Sequence, residues 1–477
     1  MIDTLHPGPT AFVLAGGGAK GSFEVGALQY LVGVEGITPD IITAASAGAL
    51  AATVLAQART LPEFVQRVQE IEDVILAMTR TEQVFGQQAW LRALQGTSLG
   101  SSIAYLLTEG TRPPFPLSDA TTLSGATGVT KRAHRKSQRQ RQRRVFRLVA
   151  GAAFRLPRVR RRLRHSGNSA LNLDPLAQAL QQGGPSGIRP IDPSLIKRTG
   201  LQLRLAVTAL RAGVLRYVTE DGTIVEDDAC TPAPGAAGGP VELVDGAVAS
   251  ASVPLVFPPH PMADDDYVDG GVLQIIPVRP AVLLGATRIF AVAAIPLALA
   301  RDERNYAGAP AAQIGLRAMG VIGMAHRQLE NLSVELPPGT TLTTIDPVVD
   351  VVGLFEIEPG LLRINKDYGW LRAADILAGG DAAIVADTVA ETHLLVESRL
   401  AAWKLEEGLW AQTRPDGSTA GTQALVRELK SHIREVVDHR KQLGFPVPEG
   451  CTAWWSEYEI HSGECPAHLL AGPGAGL

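Results

Sequence analysis

One stretch near the N-terminus decides the fold: AFVLAGGGAKGSFEVGALQYLVGVEGITPDIITAASAGAL, residues 11–50. Its first apolar run, residues 11–15, ends at three glycines, and residues 21–32 then have the apolar spacing of a helix. A second apolar run, residues 41–45, leads into an alanine-rich helical segment, residues 47–57. Two strand–helix units in series predict a parallel sheet flanked by helices, because parallel strands need a crossover connection.

The remaining sequence separates a second set of strands from helical segments. Strand patterns resume at residues 201–210 and 213–219, with later candidates at 288–295 and 341–345. We therefore expect an α/β core at residues 8–60 and 200–350, a mostly helical cap or insertion at 61–199, a helical C-terminal region at 351–445 and an irregular tail at 446–477.

The composition indicates a globular protein with a large core. The chain has 477 residues, 45% of them hydrophobic and 19% charged, which excludes disordered, collagen-like and coiled-coil proteins. The three cysteines have no CxxC spacing, so the sequence supports neither a disulfide framework nor a structural zinc site. We expect no metal site and a reducing compartment.

No targeting or membrane-spanning segment is predicted. The N-terminal MIDTLHPGPT lacks a basic region, and the apolar run after it breaks at Gly16. The longest apolar stretch elsewhere, residues 289–300, is shorter than the roughly 20 residues of a spanning helix and contains Pro296. We expect a cytoplasmic protein.

The charge is distributed unevenly. Residues 131–165 hold 15 of the 44 basic residues and no acidic residue, although the formal net charge is −4. Arginines in this basic segment alternate with an apolar stripe, a pattern that fits either a solvated insertion or reversible contact with an anionic membrane. We expect no nucleic-acid binding, because the segment has two Phe but no Tyr or Trp to stack on bases.

The glycine string from Gly16 to Gly21 allows three interpretations. It matches the dinucleotide-binding pattern G-x-G-x-x-G, but Asp40 precedes the next strand, whereas that fold needs an acidic residue after it. A structural turn is the second interpretation. The third is an oxyanion hole, in which consecutive backbone N–H groups of Gly16, Gly17 and Gly18 point at one developing negative charge.

Two further strings offer a candidate nucleophile and a candidate base. Ala44-Ala45-Ser46-Ala47-Gly48 is close to the G-x-S-x-G nucleophile elbow, with Ala44 in place of the first glycine. A serine before a helix is also an ordinary N-cap. A serine hydroxyl needs a base. Asp269, followed by Gly270 and Gly271 in DDDYVDGGVLQIIP, is the candidate, although Asp-Gly is also an ordinary turn between strands.

Four strings, taken in order, resemble the patatin-like phospholipase family, in which a Ser-Asp dyad cleaves acyl esters. They are FVLAGGGAKGSFEVGAL, ITAASAGAL, ASASVPLVFPP at residues 249–259 and VDGG. The resemblance covers the first 50 residues and roughly residues 200–300, and more loosely the DYGW segment near Asp367. It implies a patatin-like α/β core with a parallel central sheet flanked by helices, plus a mostly helical insertion.

The resemblance also implies a function. It predicts hydrolysis of acyl ester bonds in phospholipids, lysophospholipids or related lipids, without a metal or organic cofactor. Ser46 is then the nucleophile and Asp269 its base. The oxyanion hole and the supporting motif positions follow from the same match: Gly16, Gly17 and Gly18 for the hole, and Lys20, Gly21, Ala44, Gly48, Gly270 and Gly271 around it.

Two alternatives stay open from the sequence alone. A histidine-based triad could use His260, which is close to Asp269 in the chain but lies in the proline-rich string FPPHP. The other alternative is a catalytically silent lipid-binding or regulatory protein on the same scaffold. Ala44 keeps that alternative open, because its extra methyl could distort the elbow.

Overall fold

The computed structural model describes most of the two core segments and the C-terminal region. The described residues are 8–79, 85–87, 169, 171–184, 189–234, 239–263, 265–297, 306–307, 314–315, 317–318, 322–378, 382–410, 419–461, 465–466 and 469. The basic segment at residues 131–165 lies outside them, as does most of the predicted insertion. The boundaries predicted for the insertion and the tail therefore stay predictions.

Eleven strands lie in the described part of the chain. They are β1 (Thr10–Leu14), β2 (Ile41–Ala44), β3 (Gly86–Gln87), β4 (Leu171–Asn172), β5 (Gln202–Ala209), β6 (Val214–Thr219), β7 (Ile224–Val225), β8 (His260–Met262), β9 (Asp265–Asp269), β10 (Arg288–Val292) and β11 (Thr341–Ile345). β3 and β4 form a separate small ribbon, and the other nine strands form one central sheet.

The central sheet is mixed, with parallel strands at its centre. The order along its main path is β11-β10-β1-β2-β5-β6-β7, and β11, β10, β1, β2 and β5 are mutually parallel neighbours. β6, β7, β8 and β9 pair in the antiparallel direction. The prediction of a parallel central sheet is confirmed for the five strands that include both strand–helix units, and antiparallel strands extend it.

Helices cover the sheet and continue through the C-terminal region. They are α1 (Gly21–Leu28), α2 (Ala47–Leu55), α3 (Leu61–Ala77), α4 (Asp174–Gln182), α5 (Pro193–Thr199), α6 (Leu243–Ser250), α7 (Val278–Leu283), α8 (Gly323–Leu332), α9 (Pro359–Leu377), α10 (Ala382–Trp410), α11 (Thr419–Gln442) and α12 (Ala453–Ser456). The predicted helical C-terminal region is confirmed. None of the helices in the described residues is long and apolar enough to cross a membrane.

The core lies on both faces of the sheet, as the uninterrupted apolar run of β1 requires. Phe12 and Leu14 belong to the larger cluster, together with α1, α2 and α9, while Val13 on the opposite face packs in a smaller cluster with residues of α7. α9 holds α1 in place through the edge-to-face contact of Tyr368 with Phe23, whose ring centroids are 5.4 Å apart. This packing fixes the helix that follows the glycine string.

Candidate active site

Ser46 lies at the sharp turn between β2 and α2, at the carboxyl end of the parallel strands. Its backbone has φ 53° and ψ −127°. Such a left-handed conformation costs a residue other than glycine roughly 1–3 kcal/mol. Two hydrogen bonds stabilise the turn: the Ser46 N–H donates to Ser250 Oγ at 3.0 Å, and Ser250 Oγ donates to Ala206 O at 2.6 Å. The structure therefore has the strained geometry of a nucleophile elbow.

Ala44, the one departure from the motif, fits the elbow without distortion. It is the last residue of β2, fully buried, and pairs with Leu14 of β1 and Leu205 of β5. In the described part of the chain, Ser46 has a positive φ, whereas Ala44 does not. The alanine therefore adopts an ordinary strand conformation, and its methyl packs in the core.

The register of β5 brings Asp269 to Ser46. β5 pairs with β2 in its first half and with β9 in its second half, so that Leu205 lies opposite Ala44 and Val207 lies opposite Asp269. β9 runs antiparallel to β5, so its last residue points back toward the end of β2. The side chains of Ser46 and Asp269 are 223 positions apart in the sequence, but they lie close enough for an interaction with Ser46 to lower the pKa of Asp269.

The Asp269 carboxylate is buried and has few partners. The carboxylate Oδ1 accepts a hydrogen bond from the Gly271 N–H at 2.7 Å. The main-chain oxygen of Asp269 accepts a separate bond from Thr208 Oγ1 at 3.0 Å. Burial raises the pKa of Asp269 to about 7, although the hydrogen bonds from Ser46 and Gly271 oppose this shift. A carboxylate with a pKa near neutrality is a much better base for a hydroxyl than an ordinary aspartate.

Several motif glycines are required by close approach to other backbone. A Cβ on Gly48 would lie 2.6 Å from Ala15 O, and one on Gly270 would lie 2.3 Å from Ala206 O. Gly21 differs, because a Cβ there would make only ordinary contact, at 3.5 Å, with Ala47. Gly48 and Gly270 thus let helix, strand and turn meet closely around Ser46 and Asp269.

The three glycines differ in what their N–H groups bind. The Gly16 N–H donates to Ile275 O at 3.0 Å. Within the described part of the chain, the N–H groups of Gly17 and Gly18 have no hydrogen-bond acceptor, so these two amides are free to bind a ligand. A Cβ on Gly16 would also come within 2.6 Å of Ser46 Cβ, which places the string directly against the serine.

Lys20 anchors the glycine string rather than facing the cavity. Its buried ammonium group forms an ion pair with Asp350, and its main-chain oxygen accepts a hydrogen bond from Asn365 Nδ2 at 3.2 Å. The neighbouring Ala19 N–H donates to Leu354 O at 2.8 Å. Residues from the segment 350–365 thus hold the loop in place next to Ser46.

An apolar cavity of about 150 Å³ lies beside Ser46. Side chains of α1, α2 and α3, the segment after α6 and residues near Phe355 form its wall, and most of them are aliphatic or aromatic. One charged pair, Glu70 with the half-exposed Arg189, also lies on the wall. Concave apolar cavities with a few polar groups are typical of sites for small organic ligands.

His260 and Asp40 lie away from this arrangement. His260 Nε2 is 3.4 Å from Asp245 Oδ1, and no histidine is among the described residues that line the cavity. Asp40 precedes β2, at the opposite end of the strand from Ser46, where its carboxylate accepts a hydrogen bond from the Thr10 N–H at 2.9 Å. The geometry therefore supports neither a triad with His260 nor the dinucleotide pattern.

The family model "Patatin-like phospholipase" matches residues 12–80 and 91–282, which together are more than half of the chain. The chain belongs to the patatin-like phospholipase family. The match includes both Ser46 and Asp269, and it confirms the resemblance given by the four motifs. At the level of the family, this patatin-like protein is a lipid acyl hydrolase.

Two solved structures are similar to this patatin-like protein. VipD from Legionella pneumophila is 14% identical, with 92% of this chain and 85% of that chain covered at a TM-score of 0.27. The type III effector protein ExoU is 15% identical, with 94% and 78% covered at a TM-score of 0.22. Because both TM-scores are below 0.5, the family assignment rests on the family model. A search of curated proteins finds no match.

Sequence reasoning missed the residues that support this patatin-like site. Ser250 lies in a string that was recognised, ASASVPLVFPP, but its bond to the Ser46 N–H joins positions 204 apart. Asp350 and Asn365 lie far outside the recognised motifs. Glu24 was also overlooked, and its signal was a single acidic residue among the apolar residues of GSFEVGAL.

Proposed function

We propose that the protein is a serine hydrolase that cleaves acyl ester bonds of phospholipids, lysophospholipids or related lipids through Ser46 and Asp269. One observation carries the proposal: Ser46 lies against the buried carboxylate of Asp269 and lines an apolar cavity. The raised pKa of Asp269, about 7, supports its role as the base. Membership of the family supports the class of reaction.

In the first half of the reaction, Ser46 Oγ attacks the carbonyl carbon of the bound ester while its proton passes to Asp269. The carbonyl oxygen becomes an oxyanion, which the N–H groups of Gly17 and Gly18 stabilise. The bond to the alcohol then breaks, and Asp269 returns the proton to the leaving oxygen. The acyl group remains on Ser46 as an ester.

In the second half, water replaces the alcohol. A water molecule attacks the acyl carbonyl while Asp269 takes one of its protons, and the same two amides stabilise the second oxyanion. Collapse of this intermediate releases the fatty acid, and Ser46 regains its proton from Asp269. Asp269 thus accepts and returns the proton in both halves of the cycle.

The cavity supports a lipid acyl chain as the group that is transferred. Its wall is formed mainly by side chains such as Leu50, Ile71, Val74 and Phe257, which favour hydrocarbon over a polar group. Ala44 adopts an ordinary strand conformation, which supports a functional elbow rather than a catalytically silent scaffold. We therefore favour an enzyme over a lipid-binding protein.

We further propose that the protein is cytoplasmic and reaches lipid through reversible contact of the basic segment, residues 131–165, with anionic membranes. The support is the sequence alone: 15 basic residues without an acidic one, alternating with an apolar stripe. A hydrolase of membrane lipids must reach its substrate at such a surface.

Fatty-acid release from mixed phospholipids by the wild type, Ser46→Ala and Asp269→Asn tests the proposed function. We expect both variants to lose at least 100-fold in rate, because each lacks a group that takes part in bond formation or proton transfer. Ser22→Ala is a matched control, since Ser22 lines the same cavity but bonds to Ala19 O and Asn365. Equal activity in all four proteins would contradict the proposal.

A further inference from the structure

The wall of the cavity contains one polar side chain without a complete set of partners. Glu24 of α1 is 1% exposed, and its Oε1 has no hydrogen-bond partner. The other polar side chains on the wall are paired: Ser22 with Ala19 O and Asn365, and Glu70 with Arg67 and Arg189. Among the described residues that line the cavity, Glu24 alone has a buried polar atom left unpaired.

Glu24 lies close to the reacting end of the cavity. Its carboxyl group interacts with the backbone of Ala15, which directly precedes the glycine string at the end of β1. Ser46 follows the neighbouring strand β2, and both residues line the same cavity. A substrate acyl group bound to Ser46 would therefore enter the cavity whose wall contains Glu24.

The surroundings of Glu24 favour the neutral carboxylic acid. Burial is the main cause that raises its pKa well above the usual range, while the contact with Ala15 opposes the shift. A neutral carboxylic acid can both donate and accept a hydrogen bond. A plain hydrocarbon chain leaves this group unpaired in an apolar cavity, whereas a hydroxyl group on the chain would pair with it.

We propose that Glu24 selects acyl chains that carry a hydroxyl group on one of the first carbons beyond the ester carbonyl. This inference rests on the proposed function, because it takes Ser46 as the nucleophile and the cavity as the acyl pocket. A site built to hydrogen-bond a hydroxyl discriminates strongly against the analogue that lacks it, while a purely apolar pocket discriminates weakly. Glu24 is thus a specificity-determining residue that the dyad itself does not require.

Matched aryl esters of 3-hydroxyoctanoic and octanoic acid test the inference. We expect the wild type to have a kcat/KM about ten-fold higher for the hydroxylated ester, because only that chain pairs with Glu24. In Glu24→Met, which has a similar size and no polar hydrogen, the ratio should fall to about one. Glu24→Gln retains a donor and an acceptor and should keep most of the preference.

Glu70→Gln is the control, because Glu70 lines the same cavity but has its own partners. Its ratio should equal that of the wild type. Equal kcat/KM for the two esters in the wild type would overturn the inference and leave the proposed function intact. An unchanged preference in Glu24→Met would also overturn it. If the wild type hydrolyses neither ester, the proposed function fails, and the inference fails with it.

Discussion

The raised pKa of Asp269 predicts a specific dependence of activity on pH. Proton transfer from Ser46 requires the carboxylate form of Asp269, whose pKa burial raises to about 7. Below that value, the fraction of carboxylate falls about ten-fold for each pH unit. The kcat/KM for a soluble short-chain ester should therefore reach a plateau above about pH 8 and be roughly 100-fold lower at pH 5.

The assay follows release of the carboxylic acid by chromatography between pH 5 and pH 9, after subtraction of spontaneous hydrolysis. An aspartate with the ordinary pKa of about 3.9 would give a nearly constant kcat/KM over this range. A flat profile in a protein that is folded throughout would therefore refute the assignment of Asp269 as a buried base.

The same pKa predicts a dependence of stability on pH. The folded-state pKa of Asp269, about 7, lies roughly three units above the unfolded value, which corresponds to about 4 kcal/mol. Because the folded pKa is the higher one, this contribution is fully present below about pH 4 and is lost as the pH rises through 7. Asp269→Asn cannot titrate, so it should gain about that much stability over the wild type between pH 4 and pH 8. An unchanged difference in unfolding free energy across this range would show that Asp269 does not titrate as a buried group.

Two further predictions concern the support of the site and the contact with lipid. Ser250→Ala removes the acceptor of the Ser46 N–H and should lower kcat at least ten-fold and the unfolding free energy by about 1–3 kcal/mol. Its control is Ser252→Ala, which loses only a local bond to Val248 O, and equal kinetic losses in both variants would contradict a specific role for Ser250. For the basic segment, liposome sedimentation should show binding that rises with anionic lipid and weakens with salt. Replacing four arginines with Gln should weaken binding and leave hydrolysis of a soluble ester unchanged: Arg158, Arg160, Arg161 and Arg162. Binding as tight as that of the wild type would contradict the proposal.

The sequence predicts those features that are encoded locally. The strands β1 and β2, the glycine string and Ser46 lie within 40 residues, and their apolar runs and small residues have few structural alternatives. The helical C-terminal region is also predicted correctly, because α9, α10 and α11 are long. Four motifs in a fixed order then indicate the family.

Contacts between distant parts of the chain are what the sequence does not predict. The position of Asp269 depends on the register of β5 with two different strands, and the short strand β9 has no clear alternating pattern. The engagement of the Gly16 N–H by Ile275 likewise follows from a contact 259 positions away. Glu24 lines a cavity whose wall also includes residues of α2 and α3, so its unpaired Oε1 is visible only in the folded protein.

Reaction with an alkyl fluorophosphonate tests the central claim, a nucleophilic Ser46, most directly. Such a reagent phosphonylates activated serines, and mass spectrometry of the digested protein identifies the modified residue. We predict a single adduct on the peptide that contains Ser46, none in Ser46→Ala, and slower labelling at pH 5 than at pH 8, because Asp269 is protonated at the lower pH. An adduct that persists in Ser46→Ala, or no adduct in the folded wild type at pH 8, would contradict the claim.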